Sequence, residues 1–143
     1  MNILEVSNLS KSYEKFVLKD ISFSIPKGYI MGFIGENGAG KTTTINSMLN
    51  VIKKDSGTVK IFGQDIDLNE KVLKQEIGFV SGESFYPKKK VKDITAVYKR
   101  FFPNWNDGVY QAFLKQFKID DTKKLDELSK GMKMKYSIAL ALS

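Results

Sequence analysis

Gly35-Glu36-Asn37-Gly38-Ala39-Gly40-Lys41-Thr42 fills every fixed position of the pattern G-x-x-x-x-G-K-[ST]. A polyphosphate needs many hydrogen-bond donors converging on a small volume. A loop can supply them as backbone N–H groups only where no Cβ blocks the approach. Gly35, Gly38 and Gly40 remove that obstacle and permit positive φ. Lys41 is placed to reach the β and γ phosphates, and the Thr42 hydroxyl to ligate Mg2+, a hard ion that prefers oxygen.

The flanks supply the context that such a loop requires. On the N-terminal side, Tyr29-Ile30-Met31-Gly32-Phe33-Ile34 is a continuous apolar run, which predicts a strand buried on both faces. Pro26-Lys27-Gly28 before it is a turn signal. Val17, Ile21, Phe23 and Ile25 alternate with polar residues, so residues 2–34 read as strands. On the C-terminal side, Ile45, Met48, Leu49 and Ile52 share one helical face, and the positive end of that helix opens onto the loop. Asp55-Ser56-Gly57 closes the segment, and Thr58–Phe62 and Ile77–Val80 read as further short strands.

From Val91 the period becomes helical. Ile94, Val97, Tyr98 and Phe101 follow helical spacing up to Pro103. Asn106 or Asp107 suits the cap of a helix through Val109, Phe113 and Phe117, and Ser129 the cap of a last helix. The expected organisation is a mixed-sheet nucleotide-binding core over residues 1–84 and a helical subdomain over 85–143. The fold class is α/β.

Composition removes whole classes of chemistry. The chain has 143 residues, a length that favours one domain, with 42% hydrophobic residues, enough for a packed core. It contains no cysteine and no histidine, which excludes disulfides, thiolate or histidine metal sites, and Cys- or His-based catalysis. The net charge of +7 favours anionic partners without choosing among them. The lysine run Lys88, Lys89, Lys90 and Lys92 reads as a solvated loop in preference to a contact with an acidic protein patch or anionic lipid. No apolar run has the length of a membrane helix, and Met1–Glu5 carries no secretion signal, so a cytoplasmic location is expected.

A phosphate-binding loop is shared by many nucleotide-using families, and other residues narrow the choice. Leu9-Ser10-Lys11-Ser12-Tyr13, then Leu18-Lys19-Asp20-Ile21-Ser22-Phe23, then Gly28, then the loop extended by Thr43, stand in an order and spacing that resembles the ATP-binding domain of ABC transporters. Residues 57–66 look like its next hairpin, and Leu128-Ser129-Lys130-Gly131-Met132 looks like a variant of its signature sequence. The resemblance spans essentially the whole chain and is most similar to bacterial exporter ATPases with a separate permease.

The resemblance implies a nucleotide site made by Tyr13 stacking on adenine, by Gly35, Glu36, Asn37, Gly38, Ala39, Gly40, Lys41 and Thr42 around the phosphates, and by Thr43 at the α-phosphate. It implies that Ser129 and Gly131 contact the ATP held by a second, identical subunit. It further implies Mg2+ at Thr42, a membrane permease as partner, and a place at the inner face of the cell membrane.

Three positions depart from the family pattern. Lys130 and Met132 stand where the signature has glycine and glutamine, and the second change removes half of a capping box. Gly82 stands where the family has a metal-sensing glutamine, with Glu83 or Ser84 as the oxygen donors that replace it. The family's catalytic glutamate and switch histidine have no match, so no general base is identified and the expectation is a truncated chain that bares the edge of the strand at Tyr29–Ile34. Two other readings follow: a nucleotide-binding module without turnover, and an ABC ATPase acting on nucleic acid. The second lacks an aromatic-basic platform, and no direct nucleic-acid contact is expected.

Overall fold

The computed structural model describes residues 1–81 and 87–143, and it divides into two compact units, Met1–Lys74 and Gln75–Ser143. The boundary expected at residues 84–85 lies outside the described residues.

The first unit is built on a long hairpin. Strand β1 (Asn2–Tyr13) pairs antiparallel with β2 (Phe16–Pro26), and Tyr13 faces Phe16 across a two-residue turn at Glu14-Lys15. The other edge of β1 pairs antiparallel with β3 (Ser56–Ile61), which pairs with the short β4 (Gln64–Asp65), giving the order β2-β1-β3-β4. The expected alternation is visible at Ile21, Phe23 and Ile25, half-buried between exposed neighbours, but Val17 is 61% exposed and Leu18 is buried in its place, the phase changing around Asp20 at φ 53.

A bulge interrupts β1 near Asn8, which adopts φ 51. Ser22 Oγ accepts from Asn8 N at 2.8 Å, and Ser10 Oγ accepts from Asp20 N at 3.0 Å, so side chains replace the ladder bonds that the bulge removes. Gly57 lies against the bulge at φ 92, and a Cβ there would sit 2.5 Å from the carbonyl oxygen of Asn8.

Helix α1 (Lys41–Met48) follows the phosphate-binding loop. It is shorter than the apolar spacing suggested, and Ile52 lies beyond it. Asn50 turns to φ 53, a left-handed conformation that asparagine tolerates, and its amide donates to Asp67 Oδ1 at 2.9 Å. The sequence reading missed helix α2 (Ile66–Leu73), which Asp65 caps by accepting from Asp67 N at 2.8 Å.

Two expected strands are not formed. Tyr29–Ile34 has no ladder partner among the described residues, and Tyr29, Ile30 and Ile34 are 70%, 100% and 97% exposed. Apolar content gives this run its strand character, but a strand exists only with a neighbour to bond, and the run pairs with none of β1–β4. Ile77–Val80 likewise runs outside any strand. The paired strands described are all antiparallel.

The second unit is helical, as expected. It contains α3 (Val91–Tyr98), α4 (Asp107–Phe117) and α5 (Lys130–Leu142), with single 3-10 turns at Lys99–Phe101 and Leu125–Glu127. Asn106 caps α4 by accepting from Val109 N at 3.0 Å. Val91, Tyr110, Leu114, Leu125, Tyr136 and Ala139 form the core. The face of α3 differs from the expected one: Val91 and Thr95 are buried, whereas Val97 and Phe101 are exposed.

Thr95 is the polar centre of this core. Its hydroxyl lies 3.0 Å from the Val91 carbonyl oxygen, 2.7 Å from Tyr110 Oη and 2.9 Å from Tyr136 Oη. When Thr95 donates to the carbonyl, its two lone pairs accept from both phenols and every proton is used. Burial raises the pKa of both tyrosines above the ordinary 10.0.

Candidate functional site

The loop between Ile34 and α1 folds around its own lysine. Lys41 Nζ donates to the carbonyl oxygens of Gly35 at 2.6 Å and Glu36 at 2.7 Å. The ammonium is therefore held inside the turn of the loop by two neutral acceptors. Gly38 at φ 86 and Gly40 at φ 95 supply the left-handed residues that let the chain wrap so tightly. A Cβ at Gly40 would meet the tip of the Phe16 ring at 2.9 Å and of the Leu18 side chain at 3.0 Å, so the hairpin packs closely over this residue. The loop thus sits directly on the end of the β1–β2 hairpin.

Beside it lies an open cavity of about 340 Å³ lined by Phe16, Asn37, Gly38, Gly40, Lys41, Thr42 and Thr43. The donor set suits a polyphosphate: backbone N–H groups of a helix start, one ammonium and two hydroxyls, with no carboxylate among the lining residues. Thr42 is exposed, at the second position of α1, and carries the oxygen that would meet a hard cation. Among the described residues, no group of three or more acidic, cysteine or histidine side chains clusters to hold a metal. A divalent cation here would rest on Thr42, on phosphate oxygens and on water.

Of the residues expected at the nucleotide, Asn37, Gly38, Gly40, Lys41, Thr42 and Thr43 line the cavity, while Gly35 and Glu36 hold the lysine through their carbonyls and Ala39 packs against Gly35. Tyr13 is not among the lining residues. It is 45% exposed, and Lys11 Nζ stands 5.5 Å from its ring centroid. The aromatic wall of the cavity is Phe16, which the sequence reading did not single out. The signal was present in the hairpin turn, since a residue facing Tyr13 shares its side of the sheet.

The second expected contact belongs to the other unit. Ser129 Oγ accepts from Met132 N at 3.2 Å and so caps α5, the longest helix described, with 13 residues. Ser129, Lys130 and Gly131 are exposed, and nothing lies within 4 Å of the place a Gly131 Cβ would take. With Met132 at the third helical position, the reciprocal half of the capping box is missing. Glu83, Gly82 and Ser84 lie outside the described residues.

Comparison with known proteins agrees with this arrangement. The ABC transporter family model matches residues 18–143. The ABC transporter ATP-binding protein YtrB of Bacillus subtilis is 34% identical over 142 residues, covering 99% of this chain and 49% of that protein. The petrobactin import ATP-binding protein YclP of the same organism is 36% identical, covering 99% of this chain and 60% of that protein. The chain thus spans about half the length of the curated relatives it matches. Among solved structures, the ADP conformation of an ATP-binding cassette of an ABC transporter superposes with a TM-score of 0.75 at 27% identity, covering 99% of this chain and 65% of that one. A phosphate-binding loop seated on an antiparallel hairpin and these matches together place the chain in the ABC transporter ATP-binding family.

Proposed function

We propose that this chain binds Mg-ATP at the loop Gly35–Thr43 and serves as the nucleotide-binding part of an ABC transporter ATPase that works with a separate membrane permease. The observation that carries the reading is the caged lysine. Among the described residues Lys41 bonds only to neutral carbonyl groups, so an incoming phosphate exchanges them for charged acceptors, which bind an ammonium about twice as strongly. The α1 N-terminus and the N–H groups after Gly38 converge on the same space. Mg2+, when bound, neutralises charge on the β and γ oxygens, and Thr42 is the residue that would hold it.

In the same reading Tyr13 stacks on the base, Thr43 meets the α-phosphate, and Ser129 with Gly131 contacts ATP bound by a second subunit. Glu83 replaces the metal-sensing glutamine, and residues 1–84 and 85–143 act as core and helical subdomain. The whole works at the inner face of the cell membrane, and the direction of transport follows from the permease.

A second reading, nucleotide binding without turnover, is favoured by one observation. Among the described residues, the cavity lining includes no carboxylate that could take a proton from a water beside the γ-phosphate. The two readings agree on binding and differ on hydrolysis.

Isothermal calorimetry with Mg-ATP tests the shared core. The 143-residue chain is expected to bind, and Lys41→Ala to lose at least about tenfold in affinity, the scale of one charge-assisted contact. Equal binding by both proteins refutes the site. Phosphate release by the chain, abolished in Lys41→Ala, would exclude the reading without turnover.

A further inference from the structure

The structure assigns to Phe16 a role at the nucleotide: its ring is the wall against which the sugar packs, and that wall does not distinguish ribose from 2′-deoxyribose. The inference rests on the proposed Mg-ATP site and adds a residue and a selectivity to it.

The argument starts from register. Lys11 pairs with Leu18 and Tyr13 with Phe16 across the hairpin, so these four side chains stand on one face of the ribbon. Leu18 and Phe16 are the two groups that meet the space above Gly40, at 3.0 and 2.9 Å from a Cβ built there. The face that carries Tyr13 is therefore the face that the loop rests on. Along it the order is fixed: Leu18 buried against the loop, then Phe16 half-buried and lining the cavity, then Tyr13 exposed at the tip.

A nucleotide with its phosphates at Lys41 and Thr42 leads its sugar out over the next surface available. That surface is the Phe16 ring, which shares the cavity with both residues. The base then lies farther out, toward Tyr13.

Chemistry sets the selectivity. Phenylalanine carries neither a donor nor an acceptor, so it holds a sugar by apolar contact alone. The remaining lining groups are the loop and the start of α1, which the phosphates occupy. Asn37 is the one uncharged amide among them, and it stands within the loop itself. No side chain of the hairpin that lines the cavity reads a 2′-hydroxyl. A site that hydrogen-bonds a hydroxyl rejects the analogue lacking it, whereas an apolar wall accepts both.

The experiment compares Mg complexes of inorganic tripolyphosphate, ATP and 2′-dATP by calorimetry on the wild-type chain, Phe16→Ala and Phe16→Leu. Leucine keeps bulk over Gly40 and removes the flat ring, so it controls for collapse of the loop. Wild type is expected to bind ATP and 2′-dATP within about twofold of each other. Phe16→Ala is expected to bind tripolyphosphate like wild type and ATP about tenfold more weakly, with Phe16→Leu between them. Equal loss of tripolyphosphate and ATP in Phe16→Ala, relieved in Phe16→Leu, would make Phe16 a mere support for the loop and overturn the inference. Unchanged ATP affinity in both variants, or strong preference for ATP over 2′-dATP, would overturn it as well. Failure of wild type to bind tripolyphosphate would strike at the phosphate site itself, and the inference would fall with it.

Discussion

Thr95 shows how much one side chain carries. It accepts from two phenols and donates to a backbone carbonyl, all inside the core between α3, α4 and α5. Thr95→Val keeps the shape and removes the hub. Tyr110 then loses the only partner seen for its hydroxyl among the described residues, and Tyr136 keeps a 3.3 Å bond to the Val91 carbonyl oxygen. A buried hydroxyl without a partner costs about 1–3 kcal/mol. The expected result is a loss of about 2 kcal/mol in denaturant unfolding followed by Trp105 fluorescence, and an unchanged midpoint would show the bonds to be energetically idle. Sequence periodicity could not reveal this, because Thr95 reads as a polar position on a helix and only packing turns it inward. Phe16 escaped notice for a related reason, since its partner across the turn is known only once the register is known. The caps at Asn106 and Ser129 were legible, because a cap is a bond between residues two or three apart and needs no tertiary information.

Among elements, the hairpin shows the opposite balance. Alternation found β1 and β2, but the bulge at Asn8 depends on what faces it. Gly57→Ala places a Cβ 2.5 Å from the Asn8 carbonyl oxygen and forces an alanine to φ 92. The bulge must shift, and an expected loss of at least about 2 kcal/mol follows from left-handed strain plus backbone overlap. Thermal melting followed by far-UV circular dichroism checks it, and a melting point within a degree or so of wild type would contradict the contact. Helix α2 went unread because eight residues, including an interior break at Asn69, are too short for a period to emerge. Its cap at Asp65 and the buried pair Ile66 and Leu73, one heptad apart, were the available signal. The strands expected at Tyr29–Ile34 and Ile77–Val80 failed for a different cause: apolarity describes what a segment can do, and pairing depends on a neighbour that composition does not contain.

For the molecule as a whole, titration separates acid from alkaline behaviour. The Lys11 ammonium, then the Ser12 N–H, hold Asp55 below its ordinary 3.8, and the Lys54 ammonium does the same for Asp67. Bonds from the Trp105 indole and from Lys99 lower Asp107 likewise. A depressed carboxylate stabilises the fold above its unfolded pKa, and that contribution is lost as pH falls through the folded value. Tyr110 and Tyr136 are raised by burial, so their contribution is complete below the ordinary 10.0 and is lost as pH rises beyond it. With no histidine, no such side chain titrates between. Melting temperature is therefore expected to be level from about pH 5 to 9, to fall below about 4, and to fall again above about 10. The single tryptophan, Trp105, lies in the second unit and reports the alkaline loss there. A step near neutral pH would contradict the assignment.

The run Tyr29–Ile34 has a consequence for the life of the polypeptide. A chymotrypsin-like protease needs an extended stretch whose amides are unclaimed, with an aromatic residue at the cleavage position. Tyr29 comes nearest to those needs: it is 70% exposed and its own amide makes one bond, to the Pro26 carbonyl oxygen at 3.3 Å, whereas Phe33 is held edge-on against Phe23, and both stand between the last strand of the hairpin and the loop that cradles phosphate. The first nick falls there and severs Phe16 from Lys41 along the chain, so digestion begins by dividing the two walls of one cavity.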